Sequence, residues 1–206
     1  PLNNPSRFIQ GEYFLTQAQE QVKKSVLSGV DSAFLSAYFH ITGKPGTGKT
    51  LLLYDIAKTL SKNGKTVIIH CGKLSPGQYK IRNEIDNLNI VSVSELRDES
   101  FSLSDYTYIL VDESHRIYTE QFDAICDSVN KNDQICIFSS DPEQVLSASE
   151  TRNDIVAKIE ALHLDGQFTL SEKIRTNREL HSFIMCMKDL NHRPKVPMDY
   201  SNVVLN

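Results

Sequence analysis

The eight residues GKPGTGKT, which run from Gly43 to Thr50, fit the pattern G-x-x-x-x-G-K-[ST] at every position. An apolar pattern typical of a strand precedes them at residues 37–42, and an apolar helical pattern follows from residue 49 to about residue 62. Glycines in such a turn let successive backbone N–H groups point inward at phosphate oxygens, and the helix N-terminus adds positive potential. The segment therefore predicts a phosphate-binding loop; a merely flexible loop is the alternative.

Two side chains of this loop are predicted to act on the ligand directly. Lys49 would place a point charge beside the β and γ phosphates, and the Thr50 hydroxyl can ligate Mg²⁺. The cofactors that this chemistry predicts are ATP and Mg²⁺. The predicted nucleotide-binding residues of the loop are Gly43, Lys44, Pro45, Gly46, Thr47, Gly48, Lys49 and Thr50.

A second apolar strand pattern, at residues 108–111, ends in the two carboxylates Asp112 and Glu113. Ligands of open α/β sheets bind at the carboxyl ends of the strands, which is where both side chains would lie. We expect Asp112 to coordinate Mg²⁺, directly or through its water shell. Glu113 is predicted to orient and polarise the attacking water, because phosphoryl transfer depends on positioning. The alternative is that the pair only ends a strand and caps the next helix.

Short apolar runs alternate with helical patterns along the chain, which is typical of a parallel sheet with crossover helices. We therefore predict an α/β fold of the P-loop NTPase class, with helices on both faces of the sheet. Residues 76–93 are predicted to form a helix and a short edge strand, and Asn63-Gly64 a helix C-cap. The other predicted strands are 37–42, 66–71, 108–111, 134–139 and 168–170. The other predicted helices are 16–28, 49–62 and 119–129, one that begins at Asp141-Pro142, and one that begins at the capping box Thr176-x-x-Glu179.

The composition bounds the classes of function. With 40% hydrophobic residues in 206, the chain suits one globular domain. Its net charge of −4 argues against a broadly basic surface for nucleic acid, although a local basic strip stays possible. No apolar run is long enough to span a bilayer. The four cysteines, Cys71, Cys126, Cys136 and Cys186, lie far apart, which predicts reduced thiols and a cytoplasmic protein. Since the chain opens on Pro1, we expect a fragment of a longer protein.

Four segments together resemble one protein family. Asp112-Glu113-Ser114-His115-Arg116 resembles motif II of superfamily 1 helicases and of the helicase-like ATPases found beside nuclease or Schlafen-type modules. Leu15-Thr16-x-x-Gln19 resembles the motif whose glutamine reads the adenine edge. Ser140-Asp141-x-x-Gln144 resembles motif III, in which the glutamine senses the γ-phosphate. Leu170-x-x-x-x-Arg175-Thr176 resembles motif IV, whose arginine reaches the same phosphate. The order and spacing are similar to those of the first RecA-like domain.

Each of the weaker motifs has a simpler alternative. Thr16 and Gln19 could form a capping box, with or without a role at the adenine. Asp141 could act only as an N-cap. His115 could be a hydrogen-bonded local residue, and Arg116 could pair with a neighbouring carboxylate. Gln144 could be an exposed helical residue and Arg175 a surface cation, and these alternatives stay open.

Three departures from the family pattern concern nucleic acid. His70-Cys71-Gly72-Lys73-Leu74 is only a loose match to the motif that contacts the strand backbone, and Val145-Leu146 stands where helicases have Leu-Pro. Nothing after Arg175 resembles a second RecA-like domain. The first two departures weaken the prediction of strand contact and leave the ATPase prediction intact. The third matters because translocation in this superfamily needs two such lobes, and this chain offers one.

The sequence thus predicts one RecA-like domain over residues 1–206, with a helical lead-in at 1–34 and a tail at 191–206 that starts a further domain. The resemblance implies a Mg²⁺-dependent ATPase similar to the first motor lobe of a helicase. DNA or RNA would be bound through the parent protein, and no membrane is involved. The residues expected to act in catalysis are Glu113, Lys49, Gln144 and Arg175. The alternatives are a regulatory NTPase switch on a protein partner and a nucleotide-binding module without turnover.

Overall fold

Six parallel strands form one sheet in the computed structural model, which describes residues 4–98, 100–141 and 154–171. The order across the sheet is β3-β2-β4-β5-β1-β6. The strands are β1 (Ala37–Gly43), β2 (Thr66–His70), β3 (Leu88–Ser92), β4 (Tyr108–Asp112), β5 (Ile135–Ser140) and β6 (Gly166–Leu170). Because all strands are parallel, their carboxyl ends meet at one edge, as the predicted α/β fold requires.

Helices cover both faces of this sheet, which confirms the predicted layers. The helices are α1 (Pro5–Gln10), α2 (Gln17–Ser32), α3 (Lys49–Leu60), α4 (Pro76–Glu84), α5 (Thr119–Asn132) and α6 (Ile155–Glu160). Buried side chains of α1 to α4, such as Phe8, Val26 and Leu52, belong to one apolar cluster. Those of α5 and α6, such as Phe122 and Ile159, belong to the cluster on the opposite face. Two layers of helix therefore enclose the sheet.

Most predicted elements are present, with shifts of a few residues at their ends. Residues 76–93 contain α4 and the edge strand β3, as predicted. Two short α-helices were not predicted as separate elements: α1, which lies within the predicted helical lead-in at 1–34, and α6. Both are only six residues long, too short for a helical apolar period to stand out. The predicted cap at Asn63-Gly64 was wrong in detail, since α3 ends at Leu60 with Ser61 as its C-cap. The N–H groups of Asn63 and Gly64 still donate to the Leu60 carbonyl.

Strand β1 lies in the interior of the sheet, between β5 and β6, and all seven of its residues are buried. Parallel strands covered on both faces read as nearly continuous apolar runs, which explains the sequence of β1. Gly29 of α2 lies close above it, because a Cβ on Gly29 would come within 2.6 Å of the Phe39 ring. A glycine at this position lets α2 pack closely on the strand that leads into the phosphate-binding loop.

His40 is an ionisable residue in the otherwise uncharged strand β1. Its side chain is fully buried, and its Nε2 lies 2.8 Å from the Ser140 hydroxyl of β5. Burial disfavours the imidazolium, and it lowers the pKa of His40 from 6.5 to about 4. The native protein therefore holds this histidine neutral at a pH where the unfolded chain would protonate it.

This difference predicts a loss of stability in mild acid. Because the folded pKa is depressed, stability is complete above the unfolded pKa of 6.5 and falls as the pH drops towards about 4. Between pH 7.5 and pH 5, His40 should remove about 2 kcal/mol from the free energy of unfolding. Urea unfolding at both pH values should show a smaller pH dependence for His40→Gln than for the wild type. Equal pH dependences would contradict the buried neutral histidine.

Candidate functional site

The loop between β1 and α3 takes the curled shape that its glycines allow. Gly46 and Gly48 adopt φ values of 84° and 81°, in the left-handed region that costs side-chain-bearing residues energy. Gly43 is required for a different reason, because a Cβ there would lie 2.7 Å from the carbonyl oxygen of Leu170 on β6. The three glycines of the loop thus allow two left-handed backbone turns and one close approach between strands.

The N-terminus of α3 faces this loop. Gly48 is its N-cap residue and has no side chain that could bond to the N–H groups of the first turn. Thr47 holds the loop closed, since its hydroxyl and its N–H donate to the Lys44 carbonyl at 2.9 and 3.3 Å. A helix N-terminus with uncapped amides and a positive potential is suited to an anion.

Lys49 lies across the mouth of the loop. Its Nζ donates to the carbonyl oxygens of Gly43 at 2.6 Å and Lys44 at 3.1 Å, and it lies 4.0 Å from Asp141 Oδ2. The side chain is only 12% exposed, so the ammonium group is held over the loop rather than in bulk solvent. It lies where a phosphate in the loop could take the place of the two carbonyls.

Thr50 and Asp112 meet although β5 lies between β4, which ends at Asp112, and β1, which leads into the loop before Thr50. The first turn of α3 carries the Thr50 hydroxyl to within 3.3 Å of Asp112 Oδ1 at the end of β4. Asp112 is 1% exposed, and its Oδ1 also accepts from the Glu113 N–H. Within the described residues its Oδ2 has no hydrogen-bond donor, and His70 Nδ1 lies 3.6 Å away. A buried carboxylate oxygen without a donor, beside a hydroxyl, fits the oxygen ligands that Mg²⁺ prefers.

Glu113 has an unusual backbone conformation. Its φ of 52° lies in the left-handed region, which costs a residue with a side chain about 1–2 kcal/mol. Its Oε2 lies 2.9 Å from Arg116 Nη1, and both side chains are more than a third exposed. The predicted pairing of Arg116 with a neighbouring carboxylate is therefore present. Strain of this kind is found often at functional sites, where the surrounding structure supports it.

The turn after Glu113 is fastened to the end of β5. The Ser114 hydroxyl donates to the Ser139 carbonyl at 3.1 Å, and His115 Nδ1 accepts from the Asp141 N–H at 3.2 Å. His115 is buried, and because its Nδ1 accepts a hydrogen bond, it is not protonated at that atom. His115 is thus a hydrogen-bonded residue of the turn that follows β4, as the simpler alternative predicted.

Gln19 reaches the loop from the start of α2. The capping box is present: Gln19 Oε1 accepts from the Thr16 N–H at 2.9 Å, and the Thr16 hydroxyl accepts from the Gln19 N–H. The other end of the amide, Nε2, donates to the carbonyls of Thr47 and Gly48, both at 3.3 Å. Sequence spacing did not reveal this contact, because its partners lie 28 and 29 positions further along the chain.

Several predicted features lie outside the described residues. They are Gln144 and Val145-Leu146 after β5, Arg175 and the capping box Thr176-x-x-Glu179 after β6, Cys186, and the tail at 191–206. Asp141 ends the described segment before them, so its role as an N-cap stays a prediction. Its side chain is buried beside the phosphate-binding loop.

The described cysteines are free thiols that no disulfide joins. Burial raises the pKa of the Cys71 thiol, and the negative charges of Asp112 and Glu113 raise it further. In the parts of the chain that are described, no group of three or more His, Cys, Asp or Glu side chains could hold a metal by itself. None of the described helices combines the length and the apolar character that crossing a membrane requires.

Solved structures share this fold at low sequence identity. A structure of two coordinating Pif1 helicases at forked DNA matches with a TM-score of 0.53 at 12% identity, over 86% of this chain and 48% of that one. Domain III of the replication initiation protein DnaA from Thermotoga maritima gives 0.51 at 17% identity, over 95% and 79%. The Hef helicase domain from Pyrococcus furiosus gives 0.50 at 15%, over 76% and 38%. These similarities concern the fold alone.

One curated relative is similar in sequence over part of the chain. The DNA repair protein RadA of Campylobacter jejuni is 32% identical over 98 residues, which are 44% of this chain. The match spans only 22% of the length of that relative.

The sequence also matches a family of protein domains over most of its length. The family is described as Schlafen group 3, DNA/RNA helicase domain, and the match covers residues 36–201. It includes the phosphate-binding loop, the pair Asp112 and Glu113, and β6. The chain is therefore a helicase-like P-loop ATPase domain, and it belongs to the Schlafen group 3 DNA/RNA helicase domain family.

Proposed function

We propose that this domain binds ATP with Mg²⁺ and hydrolyses it, as the first motor lobe of a helicase-like protein. The proposal depends on one observation: the side chains of Lys49, Thr50 and Asp112 come together at the loop. An ammonium group, a hydroxyl and a buried carboxylate are therefore within reach of one ligand. This set of groups is the one that P-loop NTPases use for a magnesium-bound triphosphate.

The loop would bind the phosphates with backbone and charge. The amides at the start of α3 donate to phosphate oxygens, and Lys49 exchanges the carbonyls of Gly43 and Lys44 for the β and γ phosphates. Replacing neutral acceptors by anionic ones strengthens its hydrogen bonds. Thr50 and Asp112 would hold Mg²⁺, which, when bound, neutralises charge on the β and γ oxygens.

Glu113 would orient the attacking water. Its carboxylate now pairs with Arg116 at 2.9 Å, and exposed ion pairs of this kind are worth about 0–1 kcal/mol. The pairing is therefore weak enough for Glu113 to turn towards the γ-phosphate when a nucleotide is present. Gln144 and Arg175 are proposed to sense and stabilise that phosphate, on the strength of the family resemblance.

The proposal extends to the whole protein in two respects. Residues 1–206 would form one RecA-like domain, and residues 191–206 would lead into a further domain. The family description supports DNA or RNA as the partner of the full-length protein. The net charge of −4 is the observation that favours the rival function, a regulatory switch that controls a protein partner.

Replacement of Lys49 tests nucleotide binding. Lys49→Ala should lower the affinity for a fluorescent ATP analogue in magnesium buffer about 100-fold or more, because two charge-assisted hydrogen bonds are lost. Lys62→Ala removes an exposed lysine just beyond the other end of α3 and should leave the affinity unchanged. Unchanged binding by a folded Lys49→Ala protein would exclude this loop as the phosphate site.

Replacing each of the two adjacent carboxylates should change a different property of the protein. Glu113→Gln should still bind ATP but hydrolyse it ~10²–10⁴-fold more slowly, since a positioned base contributes a factor of this size. Asp112→Asn should instead weaken the dependence of binding on magnesium. The exposed Glu120 offers the control, because Glu120→Gln removes the same charge from the surface of α5. Parental turnover by Glu113→Gln would show that Glu113 is not the catalytic group.

This chain by itself should be a poor motor. We expect slow ATP hydrolysis, no strand displacement and weak, salt-sensitive binding to single-stranded DNA or RNA. Arginines supplied by a second subunit or lobe can be worth ~10³–10⁵ in rate, and Arg175 alone would recover part of that. Steady-state ATPase assays with and without each nucleic acid separate the motor lobe from the switch. Unwinding by residues 1–206 alone would contradict the one-lobe interpretation.

A further inference from the structure

The amide of Gln19 has each of its ends bonded to a different part of the chain. Its oxygen completes the capping box of α2, at 2.9 Å from the Thr16 nitrogen. Its nitrogen donates to the carbonyl oxygens of Thr47 and Gly48. The residue is 1% exposed, so these contacts form in a buried environment where losing a partner is costly.

The chemistry of these contacts requires a glutamine. The Thr16 N–H needs an acceptor and the two carbonyls need a donor, so the orientation of the amide is fixed by its partners. A capping box alone would accept glutamate equally well, because it uses only the side-chain oxygen. The contact with the loop would not, because a carboxylate has no hydrogen to donate.

Fixing these two carbonyls also fixes the N–H groups on the same peptide planes. In a trans peptide the C=O and N–H bonds point in opposite directions. The Thr47 carbonyl shares its peptide with the Gly48 N–H, and the Gly48 carbonyl shares its peptide with the Lys49 N–H. When both carbonyls point to Gln19 on α2, both N–H groups point away from it. The Gly48 carbonyl also accepts from Leu52 at 3.0 Å, as the first bond of α3.

We propose that Gln19 is a positioning residue of the phosphate-binding loop, and that it acts on the affinity for any nucleoside triphosphate. The family resemblance implies instead that this glutamine reads the adenine edge. To do so Gln19 would have to give up hydrogen bonds at one or both ends of its amide. The affinity measurement rests on the proposed nucleotide binding, whereas the exchange measurement rests only on the contacts of Gln19 with the loop.

Gln78 provides a matched control within the same protein. It occupies the same position of the capping box that begins α4, where it bonds to Ser75. Its Nε2 donates to the Tyr54 hydroxyl at 2.7 Å. A hydroxyl can rotate and donate to a carboxylate, whereas a carbonyl cannot. Gln78→Glu should therefore be tolerated, while Gln19→Glu sets a carboxylate against two carbonyl oxygens.

The test compares the wild type, Gln19→Glu and Gln78→Glu by two measurements. Titration with magnesium complexes of ATP and GTP should show that Gln19→Glu weakens both by the same factor, about 5- to 30-fold, which corresponds to the loss of one or two hydrogen bonds. Hydrogen exchange without nucleotide should show faster exchange at the amides of residues 47–50 in Gln19→Glu only. Gln19→Ala, which removes both contacts without adding charge, replaces Gln19→Glu if that protein does not fold.

Two results would overturn the proposal. A loss of ATP affinity with unchanged GTP affinity would identify Gln19 as the reader of the adenine. Wild-type affinities and wild-type exchange in Gln19→Glu would show that the contact has no effect on the loop. If the wild type binds neither nucleotide, the proposed function fails, and the exchange measurement still decides whether Gln19 holds the loop.

Discussion

The direction of the backbone N–H groups in the loop after β1 is the constraint on which the site depends. These groups can receive an anion only if the chain turns sharply, and Gly46 and Gly48 make that turn in the left-handed region. The surrounding structure then holds the loop in place. Strand β1 is buried between β5 and β6, Gly43 lies against Leu170, and α3 begins with uncapped amides that face the loop.

Two neighbouring carboxylates have different environments in this framework. Asp112 is almost fully buried and bonds to Thr50, which keeps it fixed beside the loop. Glu113 leaves the strand in a left-handed conformation, and its partly exposed side chain pairs with Arg116. A fixed carboxylate is suited to a metal ion, and a carboxylate that can turn is suited to a water molecule. The proposed division of labour follows from this difference in burial.

The sequence alone was enough to predict the strands, α3, α5 and the loop, because each has a local pattern of apolar residues or glycines. The helices α1 and α6 escaped prediction, since six residues carry too little of a helical period. The contacts of Gln19 with the loop and of Ser114 with Ser139 were also invisible. They join a side chain to a distant backbone carbonyl, which accepts a hydrogen bond whatever its own residue type. Such bonds leave no trace in residue spacing.

In the proposed function, the amides at the start of α3 receive the phosphates of a nucleotide. Backbone amide chemical shifts of the isotopically labelled protein, recorded during titration with a non-hydrolysable ATP analogue and Mg²⁺, test it most directly. The largest changes should occur at residues 46–50, with smaller ones at Asp112 and Glu113, and they should be lost in Lys49→Ala. Changes that cluster elsewhere, or that persist in Lys49→Ala, would contradict a phosphate site at this loop.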